Sequence, residues 1–230
     1  MSGATSCQPL KALKQPVITR GHDQALATIY DFKPQFQRLL RPIAAALAKR
    51  GIGANDVTLG ALVLSVAHGA WIALMPASPW PLLVLPATLF VRMALNAIDG
   101  MMAKEHGQAT PAGAILNEIS DVVADAALYL PFAFIPGVNA SLVVVVVISG
   151  IVAEMTGALG PMLGAPRNYA GPFGKSDRAF AFGLLAVLIG LGLSPGLWST
   201  LYLAALLLLS ALTALNRARR IVAQAKEKAA

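Results

Sequence analysis

Six long apolar segments constrain this chain more than any other feature. They run Val57–Met75, Trp80–Met102, Pro111–Phe134, Ala140–Leu163, Ala179–Leu193 and Gly196–Leu215. A hydrocarbon layer about 30 Å thick needs roughly 20 apolar residues as helix, and five of the six reach or approach that length. The fifth is the shortest. Turn-rich joints separate them at Pro76–Pro79, Pro136–Asn139, Gly164–Gly174 and Ser194–Gly196. Charged residues make up only 13% of the chain, about half the share of a soluble domain, so most apolar surface must meet lipid or other helices. The expected fold is all-α: a polytopic membrane protein with six transmembrane helices preceded by an interfacial amphipathic helix. The single cysteine, Cys7, excludes an internal disulfide.

The net charge of +7 would suit nucleic acid, but its distribution argues for a membrane. Basic residues crowd the first 50 positions, the joints after the second and fourth segments, and the tail beyond Arg217. The other joints carry none. Positive charge stays on the cytoplasmic side, so both termini and the site are expected there, as in a bacterial inner membrane. Ahead of the first span, Pro34–Arg50 places Phe36, Leu39, Leu40, Ile43 and Leu47 at helical spacing, with charges elsewhere around the wheel. The expected organisation is a mobile tail over 1–25, a membrane domain over 26–216 and a basic tail over 217–230.

Ionisable residues inside spans are costly and point to function. On the second span, Arg92, Asn96, Asp99 and Ala103 share one helix face. On the third, Gly113, Asn117, Asp121 and Asp125 recur every four residues, with Glu118 close to the same stripe. The short joint makes the two helices antiparallel neighbours. Carboxylate and amide oxygens are hard ligands suited to Mg²⁺ or Mn²⁺. Gly100 and Gly113 remove side chains where a bulky anionic group would approach. Counting about 1.5 Å per residue, Arg92 and Asp125 lie at similar depth, roughly 18–25 Å. An ion pair between them is favoured over a metal role for Asp125, with Glu154 a second candidate partner.

The spacing Asn96-x2-Asp99-Gly100-x2-Ala103-Lys104-x8-Gly113-x3-Asn117-x3-Asp121 resembles the CDP-alcohol phosphotransferase signature, D-x2-D-G-x2-A-R-x8-G-x3-D-x3-D. Every spacing over these 26 residues fits. The six-span plan, the interfacial helix and Asn55-x2-Thr58 are also similar to that family. The resemblance implies transfer of a phosphatidyl or phosphoalcohol group from a CDP-linked donor such as CDP-diacylglycerol to a hydroxyl acceptor, releasing CMP. It implies a homodimer, and Mg²⁺ or Mn²⁺ held by Asn96, Asp99, Asn117 and Asp121, with Asp121 also the catalytic base. Gly100, Ala103, Lys104, Thr110, Gly113, Asn55 and Thr58 would hold the donor.

Three positions depart from the pattern: Asn96 and Asn117 replace aspartates, and Lys104 replaces arginine. The family's four aspartates supply −4 against two divalent ions; Asp99 and Asp121 alone supply −2. Either a single metal is retained or Glu118 and Asp125 make up the charge. Glu118, with no obvious partner in sequence, is the favoured substitute ligand. Arg167, Lys175 and Arg178 form a second basic cluster, either an acceptor-phosphate site or ordinary cytoplasmic charge. A catalytically weakened relative that binds CDP-lipid or a partner is the alternative function. An ion or proton transporter is a further one.

Overall fold

The computed structural model describes residues 29–229. The mobile tail expected over 1–25 lies outside them. Seven α-helices follow one another: α1 Ile29–Lys49, α2 Ala54–Leu74, α3 Pro79–Glu105, α4 Pro111–Tyr129, α5 Ala140–Ala158, α6 Lys175–Gly190 and α7 Leu197–Ala229. Short 3₁₀ turns over Leu130–Phe134 and Gly160–Leu163 extend α4 and α5. No strand occurs among the described residues. Helices α2 to α7 fall on the six expected segments.

Four stretches are long and apolar enough to cross a membrane by length and composition: Ala54–Leu74, Pro79–Glu105, Ala140–Leu163 and Leu197–Lys228. The other two segments fall short for separate reasons. α4 carries Glu118, Asp121 and Asp125, and α6 has only 16 residues.

The sequence explains the boundaries. Pro79 and Pro111 open α3 and α4, where a missing N–H costs nothing and φ is already helical. Thr110 caps α4, its hydroxyl accepting from the Gly113 N–H at 3.0 Å. Asp56 and Asp177 each accept from an N-cap glycine, Gly53 and Gly174, at 2.8 Å, and so start α2 and α6. In the region expected as a basic tail over 217–230, α7 continues as helix as far as Ala229. That region contains no Gly or Pro to stop the helix, only good helix formers such as Ala, Arg, Gln, Lys and Glu.

α2 packs on α3 and α4, α3 on α6, and α5 on α7. The contact between α2 and α4 is close because Gly69 has no side chain: a Cβ there would lie 1.9 Å from the Ala127 carbonyl oxygen. One core joins Leu82, Leu85, Phe132, Val143, Phe182 and Leu203 across five helices. Within it the Tyr129 and Phe182 rings stack with centroids 4.2 Å apart.

A second core fixes α1 on the ends of α2 and α3 through Leu40, Ala44, Val57, Ile98 and Met102. The apolar residues of α1 therefore divide between two surroundings. Leu40 and Ala44 face α3, whereas Leu39 and Ile43 are 71% and 47% exposed. Arg41 clips the same helix to α3 by a two-pronged pair with Glu105 at 2.9 and 3.0 Å.

Candidate functional site

Side chains of the α3 and α4 stripes reach each other, although the two helices, expected as direct neighbours, do not pack closely on one another and α2 lies against both. The Asn96 amide donates to Asp121 Oδ1 at 3.0 Å. Arg92 pairs with Asp125 at 2.6 Å and donates to the backbone carbonyl of Asp121 at 3.1 Å. The ion pair expected from equal depth is thus present, with Arg92 itself buried. Asp99 is also buried and accepts from the Thr58 hydroxyl at 2.7 Å. Thr58, expected to contact a CDP donor, here holds this carboxylate. Asn117 is half-buried on the same face of α4.

The mouth of the site gathers around the joint between α3 and α4. Gln108 accepts from the Ala54 N–H at 2.7 Å, tying that joint to the start of α2. A Cβ on Gly113 would lie 2.7 Å from Asn55 Oδ1 and 3.0 Å from Thr110 Oγ1, so this glycine is what lets Asn55 and Thr110 come together. A Cβ on Gly100 would meet nothing within 4 Å: this face opens on space. Ala103 is half-buried beside it and Lys104 is exposed in the last turn of α3.

The second basic cluster is where the structure departs most from expectation. Glu118, given no partner by sequence, pairs with Arg167. The acid expected as a substitute metal ligand thus faces a guanidinium here. Lys175 pairs with Asp121. Arg178 is not at the surface but 3% exposed, bridging Asp125 at 3.1 Å and Glu154 at 3.0 Å. The arginine expected among an acceptor-phosphate cluster is thus engaged by two carboxylates inside the fold. Glu154, the alternative partner for Arg92, serves Arg178 and Arg217 instead.

Arg217 was missing from the sequence reading of the site because it opens a run of tail charge. It is 2% exposed, 3.3 Å from Glu154, and donates to the Ala153 and Ala170 carbonyls. A usable signal existed. Ser210, Thr213 and Arg217, all buried, recur at helical spacing as a polar stripe on α7.

The donor set decides how many metal ions these residues fit. No group of three or more His, Cys, Asp or Glu residues is placed to hold a metal among the described residues. Asp99 and Asp121 with the amides of Asn96 and Asn117 still offer hard oxygens. Mg²⁺ is commonly held by one or two carboxylates plus substrate phosphates, so the set fits one such ion completed by a diphosphate. Glu118 and Asp125, the acids that could make up the charge for a second ion, both face arginines.

No family model matches the chain. It is 46% identical over 200 residues to inner membrane protein YnbA of Escherichia coli, a match covering 87% of this chain and 99% of that protein. It is 32% identical over 184 residues to the phosphatidylinositol phosphate synthase of Streptomyces avermitilis, covering 71% of this chain and 70% of that one. Among solved structures, the fold matches the phosphatidylinositol phosphate synthase of Mycobacterium tuberculosis. The form with CDP-DAG bound gives a TM-score of 0.68 at 20% identity, covering 80% of this chain and 94% of that chain. The complex with manganese and citrate gives 0.67 at 20% identity, covering 79% and 88%.

Proposed function

The chain belongs to the CDP-alcohol phosphotransferase family, and on that premise we propose that it transfers a phosphatidyl or phosphoalcohol group from a CDP-linked donor, CDP-diacylglycerol first among them, to a hydroxyl acceptor. The observation that carries this reading is the Asn96–Asp121 hydrogen bond, with the Thr58-held Asp99 on the same face of α3 as Asn96 and next to the open Gly100. All six helices after α1 would cross the bilayer, with the site near its cytoplasmic surface and the donor's acyl chains remaining in lipid.

Asp99, Asp121, Asn96 and Asn117 would hold one Mg²⁺ or Mn²⁺. When bound, that ion supplies neutralisation of the diphosphate and of the charge that develops on the departing CMP. The chain's own residues do the rest. Thr58 fixes the Asp99 carboxylate through its 2.7 Å hydrogen bond. Asn55, Thr110 and Gly113 line the mouth around the nucleotide, and Lys104 meets phosphate as a point charge. Asp121 has its Oδ1 held by nitrogen donors, leaving Oδ2 to take the acceptor's hydroxyl proton. The acceptor oxygen forms the new bond to the phosphatidyl phosphorus. The phosphorus–oxygen bond to CMP breaks, and CMP leaves with the electron pair. Arg167, partly exposed, would meet a phosphate on the acceptor.

The test is release of CMP from CDP-diacylglycerol by the purified chain with Mg²⁺ or Mn²⁺. The acceptor panel should include inositol phosphate and glycerol 3-phosphate. Asp121→Asn should lower the rate by about 10²–10⁴, the range for loss of a positioned base. No CMP with any acceptor sinks the reading. A second reading, a weakened relative that binds CDP-lipid, is favoured by the two amides and by the cation already resting on Asp121. Activity that appears only after Asn96→Asp with Asn117→Asp would select it.

A further inference from the structure

Three nitrogens converge on a single oxygen of Asp121. Lys175 Nζ pairs with Oδ1, Asn96 Nδ2 donates to it at 3.0 Å, and Arg92 Nη2 lies 3.7 Å away. A carboxylate that holds a divalent ion must offer it a free oxygen. Here Oδ1 faces only positive charge and N–H donors, so a cation there would have to displace the Lys175 ammonium.

The two nearby acids that could make up the charge for a second ion are both engaged. Glu118 is paired with Arg167, while Asp125 is shared by Arg92 and Arg178. Lys175 itself is well placed for a fixed role. It is the first residue of α6, whose start is fixed by the Asp177 cap on Gly174, and its side chain is 30% exposed. The ammonium therefore stands at the open edge of the site, not inside the buried network.

We propose that this chain works with one divalent ion, and that the Lys175 ammonium on Asp121 Oδ1 supplies the second positive centre. The inference rests on the transferase reading above and adds a positioning residue to it. Replacement of two acids by Asn96 and Asn117 and the placing of a cation on Asp121 then form one change in charge. The site gives up the carboxylates that a second ion needs and keeps a monovalent centre.

Manganese binding to the purified chain tests this without turnover, by equilibrium dialysis and by the electron paramagnetic resonance of bound Mn²⁺. The intact chain should bind one Mn²⁺ and show no coupling between manganese centres. Lys175→Met keeps the aliphatic stem but removes the competitor from Asp121, so Mn²⁺ should bind tighter, on the order of tenfold, from the lost repulsion. Lys175→Arg should retain the affinity of the intact chain. Adding Asn96→Asp and Asn117→Asp to Lys175→Met should bring a second, coupled Mn²⁺. Two ions in the intact chain, or unchanged or weaker binding in Lys175→Met, overturns the proposal. Two ions with CMP release would overturn this inference alone. One ion, tightened by Lys175→Met, without CMP release would overturn the transferase reading and leave the charge replacement standing.

Discussion

Asp125→Asn is the sharpest single perturbation of this fold. Asp125 is 6% exposed and holds two guanidinium groups, Arg92 on Oδ1 at 2.6 Å and Arg178 on Oδ2 at 3.1 Å. An amide of the same shape keeps one acceptor and turns the other position into an N–H donor facing an arginine. The buried cluster of Arg92, Arg178, Arg217, Asp125 and Glu154 then loses one of its two negative charges. Breaking a buried pair by removing one partner costs about 3–5 kcal/mol. At about 2–4 °C per kcal/mol for a chain of this size, the midpoint of thermal unfolding should fall by about 6–20 °C. The assay is fluorescence-detected unfolding in detergent at fixed protein and detergent concentration. Metal stoichiometry, measured alongside, should be unchanged, because both Asp125 oxygens face arginines. A fall under about 2 °C, less than 1 kcal/mol on the same scale, would refute the view that Asp125 holds this cluster together.

Thr58→Ala removes the 2.7 Å hydrogen bond that orients Asp99. Mn²⁺ affinity should weaken by about 10–100-fold, as for other supporting groups behind a ligand, and Thr58→Ser should restore it. Gly69→Ala would place a Cβ 1.9 Å from the Ala127 carbonyl oxygen and force α2 and α4 apart. A loss of about 1–3 kcal/mol in the same unfolding assay is expected, and an unchanged midpoint would show that the contact gives way freely. Arg41→Ala breaks the exposed pair with Glu105 and should cost no more than about 1 kcal/mol, checked by the same measurement.

Much of the architecture was legible because it depends on local pattern. Apolar length, joint composition and the prolines at Pro79 and Pro111 placed all six helices after α1, and the four-residue spacing of Asn117, Asp121 and Asp125 placed the polar stripe of α4. The Arg92–Asp125 pair followed from depth alone. What escaped depends on how distant segments close over one another. Gly-Lys-Ser-Asp-Arg looks like surface charge, yet each charged member does separate work. Lys175 meets Asp121, Asp177 caps α6, and Arg178 turns inward one turn of helix later. Burial of Arg178 and Arg217 became visible only when α5 offered Glu154 between them.

The pairing of α4 also has a consequence for how the chain enters a bilayer. Each of its three acids, Glu118, Asp121 and Asp125, meets a base that follows α5: Arg167, Lys175 and Arg178 respectively. Arg178 lies 53 residues downstream of Asp125. During synthesis α4 therefore emerges with Arg92 of α3 already made, but before Arg167, Lys175 and Arg178. An unpaired aspartate near the middle of a hydrocarbon layer costs about 2.5–3.5 kcal/mol, and Arg92 pairs closely only with Asp125, so Asp121 would enter a bilayer without its closest cation until α6 is made. On the proposed six-span reading α4 would reach its final depth once α6 is present, and the two segments too polar or too short to insert independently would be completed together.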